Sequence, residues 1–594
     1  MFAQLVGIPG SGKSSVAARL AAQHPDCVAH VVVHHERVGR LLWRHPRTTL
    51  AALLNWVPVV VIALFAKGSV AARSDRLAPL SALLNLMVRY RQLERRQPTT
   101  RRILLFDEFV EQRILGIFAH STGPVSRATL RWTLFWLRRY EATPIYLAID
   151  AGEAQKRVEQ REEGWPPRWD RLDPSVRSDI LERQQTALSD LYLFSPGGYW
   201  IGCEGGIDEV AERVLAALDA RSSPRRPRPT IGHFVFNLSR YSGAAGQARL
   251  LAARVEGFDP IFFSAERDRR TASFARVEDS SLRVLYLPRN PLRAFLVIAD
   301  FSFTHRIRLF HIHGFIGAGL LSGWILRRRL ILKSTLLDSD DFGSMAGRAG
   351  GPFLLWLARR AHRNIAPSSA IAEVNRRHAP NALIQHLPNG VQTSGALSPR
   401  ASAKRAPIFC VVGLVCERKR THLAIEKFLA SHARDAKAKL YVVGPFGDQA
   451  GLDEGDERYL AHCRSLIPAS RVDKVVWTGS LPREELRSIY EESLALLCFS
   501  RFEGLPNVLL EAMAANCVPV TTEIEGVARE VVPDERSGFV IGDDEALPSL
   551  AQLVECSAAL GPRRRAEAAF SIDGIAREYE RIYSEMLERP RGSR

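Results

Sequence analysis

Short apolar runs alternate with amphipathic stretches along most of the 594-residue chain. Arg102–Phe106 (RILLF), Ile145–Ile149 (IYLAI), Ile408–Val412 (IFCVV) and Leu440–Val443 (LYVV) read as buried strands, with helical patterns between them. Buried strands alternating with helices make parallel sheets, so an α/β fold is expected throughout. Ligands of such sheets bind beyond the carboxyl ends of strands, which directs attention to the loops there. Two polar breaks interrupt the pattern. Ala220–Thr230 (ARSSPRRPRPT) favours extended, solvated backbone, and Thr393–Pro407 (TSGALSPRASAKRAP) is a weaker break of the same kind. The expected division is 1–220, a linker at 221–231, then 232–395 and 396–594.

One apolar stretch raises a membrane question. Leu50–Ala66 (LAALLNWVPVVVIALFA) is only as long as the shortest spanning helix, and Asn55 and Pro58 interrupt it. A buried or membrane-touching helix is the expectation. Composition adds a net charge of +17, with Arg far outnumbering Lys, which points to a polyanionic neighbour such as nucleotide phosphates or an anionic membrane surface. Nucleic acid fits less well, because the aromatic–basic interleaving of an RNA module is missing. The 8 cysteines form no C-x-x-C pair, and no His cluster has zinc spacing. Free thiols in a reducing cytosol are expected, without a structural metal.

The first chemistry-bearing motif is Gly7–Ser15, GIPGSGKSS, which fits G-x-x-x-x-G-K-[ST]. It follows the apolar Phe2–Val6 and opens a helical pattern at Ser14. Loop amides around Gly7, Gly10 and Gly12 would face phosphates, Lys13 would add charge near the β and γ oxygens, and Ser14, with Ser15 beside it, would ligand Mg²⁺. RILLF leads into Asp107 and Glu108. Asp107 is expected to be the Mg²⁺ partner and Glu108 a general base or outer-shell group. After the strand IYLAI, Arg157 and Arg161 share a helix face. Together these features resemble small nucleoside- and nucleotide-kinase-like P-loop proteins over most of residues 1–200. That resemblance implies Mg-ATP as ligand and makes Arg157 and Arg161, with Arg168 and Arg171 beyond them, candidates to close over a transferring phosphoryl group. His34–Arg37 follow the second strand, where such kinases often receive the acceptor.

Residues 500–520 read SRFEGLPNVLLEAMAANCVPV. Glu503 and Glu511 lie eight apart across a Gly-Leu-Pro turn that starts a helix, whose free N–H groups suit a diphosphate. A carboxylate near a helix start can accept a pair of ribose hydroxyls. SRFEGLPNVLLEAMA resembles the E-x7-E signature of retaining, two-lobed (GT-B) glycosyltransferases of family 4. The likeness continues in order through NLSRYSGAAGQARL (237–250), FHIHG (310–314), IAPSS (365–369), LPNGV (387–391), VGLVCERK (412–419), VWTGS (476–480) and SGFVI (537–541).

By that resemblance Glu511 would hold the ribose of a nucleotide sugar and Glu503 the donor sugar hydroxyls. Gly504, Leu505, Asn507 and the loop at Gly246 would hold the diphosphate, Lys419 would neutralise it as leaving group, and His313 would contact the reacting sugar. The family's Arg after the strand-end glycine is replaced by Leu414, leaving Arg418 or Arg420 to take its place. The implied donor is a UDP-, GDP- or ADP-sugar, transferred with retention and without a metal, to a glycan or lipid-linked acceptor in polysaccharide biosynthesis.

Three readings of the whole chain remain open at this point. One is a kinase fused to a glycosyltransferase, and another a glycosyltransferase with a regulatory nucleotide-binding unit. A nucleotide-sugar epimerase on the same two-lobed fold is the third, and the E-x7-E spacing disfavours it. A cytoplasmic protein, peripheral at the inner membrane face, is the expected setting.

Overall fold

The computed structural model describes residues 2–31, 46–65, 73–95, 103–106, 112, 133–134, 142–160, 165, 173–194, 198–222, 228–238, 243–265, 282–393, 405–446 and 457–588. Contacts divide the chain into two compact units, which part at Arg228/Pro229.

The first unit is built on a parallel sheet of five strands: β1 (Phe2–Gly7), β2 (Val28–Val31), β3 (Ile103–Phe106), β4 (Thr143–Ala148) and β5 (Tyr199–Gly202). Their order is β2-β3-β1-β4-β5, so β1 lies at the centre. Strand β1 is buried along its whole length because alternate residues enter two different cores. Phe2 and Val6 pack with Phe106, Tyr146 and Leu188 on one face, while Ala3 and Leu5 pack with Leu105, Ile145 and Leu20 on the other. Helices α1 (Lys13–Gln23) and α2 (Ala151–Glu159) follow β1 and β4. Asp150 caps α2 by accepting from the Gly152 and Glu153 amides.

The apolar stretch forms helix Pro46–Phe65, continuous through Pro58. The expected helix forms. Ala52 and Val59 lie in the core beside Leu83 and Met87 of the helix Arg73–Arg95, and this packing carries the helix across the one backbone donor that proline lacks. Leu50, Leu54 and Val57 are exposed. No described helix is long and apolar enough to cross a membrane.

The second unit has two lobes. The first lobe's sheet comprises β6 (Thr230–Val235), β7 (Asp259–Ser264), β8 (Arg283–Tyr286), β9 (Leu309–His313), β10 (Arg329–Lys333), β11 (Arg363–Ala366) and β12 (Ile384–His386), ordered β12-β11-β10-β9-β6-β7-β8. The second lobe's sheet comprises β13 (Ile408–Val412), β14 (Lys439–Val443), β15 (Val475–Gly479), β16 (Ala495–Cys498), β17 (Val518–Thr521) and β18 (Phe539–Val540), ordered β15-β14-β13-β16-β17-β18.

Three helices of this unit matter for the site: α3 (Gly243–Arg254), α4 (Asn507–Ala514) and α5 (Ile572–Glu588). Although α5 ends the second lobe, its residues Ile575, Ala576, Tyr579, Ile582, Tyr583 and Met586 join the core of the first, beside Ile231, Leu309 and Ile331. That helical spacing explains the crossing, since the apolar stripe needs a buried partner. Gly390 permits the close approach. A Cβ there would lie 2.6 Å from Ile572 Cδ1.

Candidate active site

Lys419 closes a short 3₁₀ turn (Glu417–Lys419) after β13, and Glu503 lies on the loop after β16, the neighbouring strand. Their meeting is a product of strand order. Lys419 Nζ donates to Glu503 Oε1 at 2.5 Å, and Arg418 Nη1 donates to the same oxygen at 3.2 Å. Burial raises the Glu503 pKa, but Lys419 and Arg418 outweigh it and hold the carboxyl below its ordinary value. Two cations against one carboxylate leave the cluster net positive before any ligand arrives. Arg420, the other stand-in for the family's arginine, points elsewhere. It donates to Asp543 at 2.7 Å and Thr522 at 3.0 Å.

Gly504 follows directly. A Cβ on it would come within 1.9 Å of the Thr335 carbonyl oxygen in the first lobe, so only glycine fits where the lobes meet. Leu505, the next residue, is buried in the second lobe's core beside Leu509. At the start of α4, Asn507 bridges the lobes. Its Nδ2 donates to Gly243 O at 3.1 Å, and its Oδ1 accepts from Asn389 Nδ2 at 2.8 Å. Asn389 in turn accepts from Lys333 Nζ at 2.7 Å. Burial brings the Lys333 pKa down to about 8. Gly246, on the first turn of α3, faces open space. Glu511 accepts from Tyr490 Oη at 3.2 Å, and burial raises its pKa.

His313 ends β9 and is buried against two other imidazoles. His233 Nδ1 lies 3.3 Å from His313 Nε2, and the His311 and His313 ring centroids are 4.0 Å apart. Burial lowers the pKa of all three, and neighbouring His233 and Lys333 lower that of His313 further, so His313 is a neutral imidazole. His233 escapes a search for local spacing because β6 and β9 pair at His233↔His311, 78 residues apart. Among the described residues this trio has the mutual spacing that could suit a metal. The Lys333 ammonium beside it opposes a divalent cation there.

In the first unit, Gly10 and Gly12 both take positive φ, 86° and 82°. A Cβ at Gly10 would sit 2.4 Å from the Ala154 carbonyl of α2, so the loop hugs that helix. Lys13 Nζ donates to the Gly7 and Ile8 carbonyls at 2.8 and 3.2 Å, folding back over its own loop. Ser14 and Ser15 are exposed at the start of α1. Ser11 Oγ is buried and makes no hydrogen bond among the described residues. Arg157 pairs with Glu153 at 3.1 Å and donates to the Cys203 carbonyl at 3.1 Å, while Cys203 Sγ donates to Ser11 O at 3.5 Å. Arg157 is thereby tied to the glycine loop. Asp107, Glu108, Arg161, Arg168, Arg171 and His34–Arg37 lie outside the described residues.

Residues 406–556 match the family described as Glycosyl transferases group 1. The C-terminal region is a group 1 glycosyltransferase domain. Among known proteins, it is similar to the capsular polysaccharide biosynthesis glycosyltransferase CapM of Staphylococcus aureus, at 25% identity over 189 residues. That match covers 30% of this chain and 47% of the relative, so the chain spans about half of that protein's length. The GDP-mannose:cellobiosyl-diphosphopolyprenol alpha-mannosyltransferase of Komagataeibacter xylinus is 25% identical over 296 residues, covering 47% of this chain and 72% of the relative. The glycosyltransferase domain shares its two-lobed GT-B fold with sucrose-phosphate synthase from Thermosynechococcus elongatus. Identity there is 17% and the TM-score 0.50, with 61% of this chain and 99% of that one covered.

Proposed function

We propose that the chain transfers a glycosyl group from a nucleotide sugar to a glycan or lipid-linked acceptor, with retained anomeric configuration. The observation that carries this reading is the convergence of Lys419 and Arg418 on buried Glu503, just before the N-terminus of α4. Bond cleavage in a nucleotide sugar leaves a diphosphate, whose growing charge needs fixed positive partners in a site shielded from water. Lys419, Arg418 and the amides at the start of α4 supply them. Glu503, kept ionised by the same cations, accepts hydrogen bonds from sugar hydroxyls. Glu511 takes the ribose, and neutral His313 offers a hydrogen bond to the sugar without adding charge. With no protein nucleophile assigned, the acceptor attacks on the face the diphosphate leaves, and the leaving phosphate takes its proton.

We further propose that the first unit binds Mg-ATP. The exposed Ser14, the Ser11 Oγ unpartnered among the described residues and the wrapped Lys13 loop favour a phosphate ligand there. Mg²⁺, held by Ser14 with Asp107, would neutralise phosphate charge. The unit then acts either as a kinase or as a regulatory module, and ATP-dependent phosphoryl transfer to a sugar, lipid or nucleotide separates the two.

The test is a thermal-shift panel of UDP-, GDP- and ADP-sugars run with and without ATP. The Komagataeibacter relative is named for GDP-mannose and a diphosphopolyprenol acceptor, which makes a GDP-sugar the first donor to assay. Stabilisation by one sugar class that adds to that of ATP is expected from two independent sites. A flat response to all three classes would remove the transferase reading.

A further inference from the structure

The first lobe of the glycosyltransferase domain carries an apolar face that its own fold leaves uncovered. Helices Pro291–Thr304, Gly317–Ile325 and Gly351–Ala358 pack together, and each turns large apolar side chains outward. Leu292 and Phe303 are 66% and 67% exposed, and Leu296, Trp324, Phe353 and Trp356 are exposed beside them. These side chains form a continuous surface in part: Trp324 and Trp356 meet at 5.6 Å between centroids, and Phe353 stacks on Trp356 at 5.9 Å. Exposed apolar side chains gathered on one face in this way mark an interaction site.

Charge indicates the partner. Asp300 is the sole acid on the three helices, whereas Arg289, Arg293, Arg327, Arg328, Arg359 and Arg360 lie on or next to them. The Arg360 guanidinium lies 3.7 Å from the Trp356 ring centroid, and Arg328 lies 5.0 Å from that of Phe303. Aromatic rings with arginine heads at their margins suit the boundary between hydrocarbon and anionic headgroups. Beneath the face lies a cavity of about 700 Å³, whose lining includes Phe236, Leu287, Ala294, Phe295, Leu321 and Phe353. Phe236 also borders the strand end that carries His313, since a Cβ on Gly314 would lie 3.8 Å from its ring.

We propose that this face docks on an anionic bilayer, and that the cavity beneath it receives a hydrocarbon chain from that bilayer. The cavity's part rests on the transferase reading, in which the chain belongs to the acceptor. The docking does not. The competing surface is Leu50, Leu54 and Val57 of helix Pro46–Phe65, the exposed large apolar side chains among that helix's described residues.

The experiment is flotation of the full chain with phosphatidylglycerol/phosphatidylcholine vesicles at low and high salt. Circular dichroism and nucleotide-sugar binding are followed on every variant. The double variant Phe303→Ser/Phe353→Ser is expected to lower vesicle affinity by at least about tenfold. Arg293→Glu/Arg327→Glu is expected to remove the preference for anionic vesicles, and Leu50→Ser/Leu54→Ser to bind as the parent does. Nucleotide-sugar binding should survive in all three, which separates failure of docking from failure of the transferase reading. Absence of vesicle binding at low salt overturns the proposal. So does loss of binding in the Leu50/Leu54 variant alone, or a Phe303/Phe353 variant whose only change is its oligomeric state.

Discussion

Two lysines, Lys13 and Lys419, are each proposed to meet a phosphate, and the two units hold them by opposite means. Lys13 folds back on the carbonyls of Gly7 and Ile8, five and six residues away in its own loop. Lys419 is held by a carboxylate 84 residues distant, delivered by the pairing order of β13 and β16. The first arrangement is local: a glycine loop with two positive-φ residues makes it wherever a strand feeds a helix. The second exists only once the second lobe has folded. A local site tolerates substitution in its neighbours, whereas an assembled one concentrates its energy in a buried ion pair.

The largest effect expected from this difference is at Lys419. Replacing Lys419 with Ala removes the cation proposed to face a leaving diphosphate, and on that reading transfer should fall about 10²–10³-fold. It also strands Glu503 beside Arg418 alone, so the second unit should lose roughly 3 kcal/mol in denaturant unfolding. A Lys419→Ala protein that keeps full transferase activity would break the assignment of the site.

Lys13→Ala should behave differently. Lys13 donates to the backbone carbonyls of Gly7 and Ile8, so no carboxylate of that pair is stranded and the first unit should keep its fold. What should vanish is the stabilisation by ATP, about 2.7 kcal/mol at a hundredfold excess over Kd in the parent. Stabilisation by the sugar nucleotide should persist. Unchanged ATP protection would contradict phosphate binding by this loop.

Gly504→Ala probes the seam between the lobes. The added methyl meets the Thr335 carbonyl oxygen at 1.9 Å, so the lobes must part or the loop must move, at about 1–3 kcal/mol. A rise in KM for the donor is the expected signature. An unchanged KM would show that this contact is not retained when substrate binds.

What the sequence made legible follows the same division. The apolar runs predicted IFCVV as a strand at 408–412, and β13 occupies those residues. The strand–loop–helix opening was readable because the residues that define it lie within one short stretch, although the folded loop also meets Ala154 and Cys203. Likewise Glu503 and Glu511 stood out, since one turn and one helix start relate them. Lys333, Asn389 and His233 did not stand out as a group, although hydrogen bonds tie them to Asn507 and His313. Each comes from a different segment, and parallel pairing alone brings His233 opposite His311. A lysine ending an apolar strand (LILK at 330–333) was the one local hint, because a buried ammonium needs a partner. The helix runs unbroken through Pro58 for a related reason: core contacts at Ala52 and Val59, absent from any local rule, sustain it.

Distance along the chain does not by itself make a contact strong, and the His386–Glu530 pair shows this. It joins the two lobes at 2.6 Å across 144 residues, but the His386 side chain is 36% exposed. The Glu530 hydrogen bond raises the pKa of His386 from 6.5. Burial pulls the Glu530 pKa upward, yet His386 and Ser369 hold it below 4.5. A raised histidine contributes fully below its unfolded pKa and loses that contribution as pH rises through the folded one. A depressed carboxyl contributes above its unfolded pKa and loses it as pH falls through the folded one. The pair is therefore worth most between about pH 4.5 and 6.5 and fades on both sides. With solvent screening, a double-mutant cycle through His386→Ala and Glu530→Ala should give a coupling on the order of 0.5 kcal/mol at pH 6, and less at pH 8.5. A coupling as large as that of Lys419 with Glu503, or one unchanged by pH, would mean that assembly across the fold, and not burial, sets the strength of these pairs.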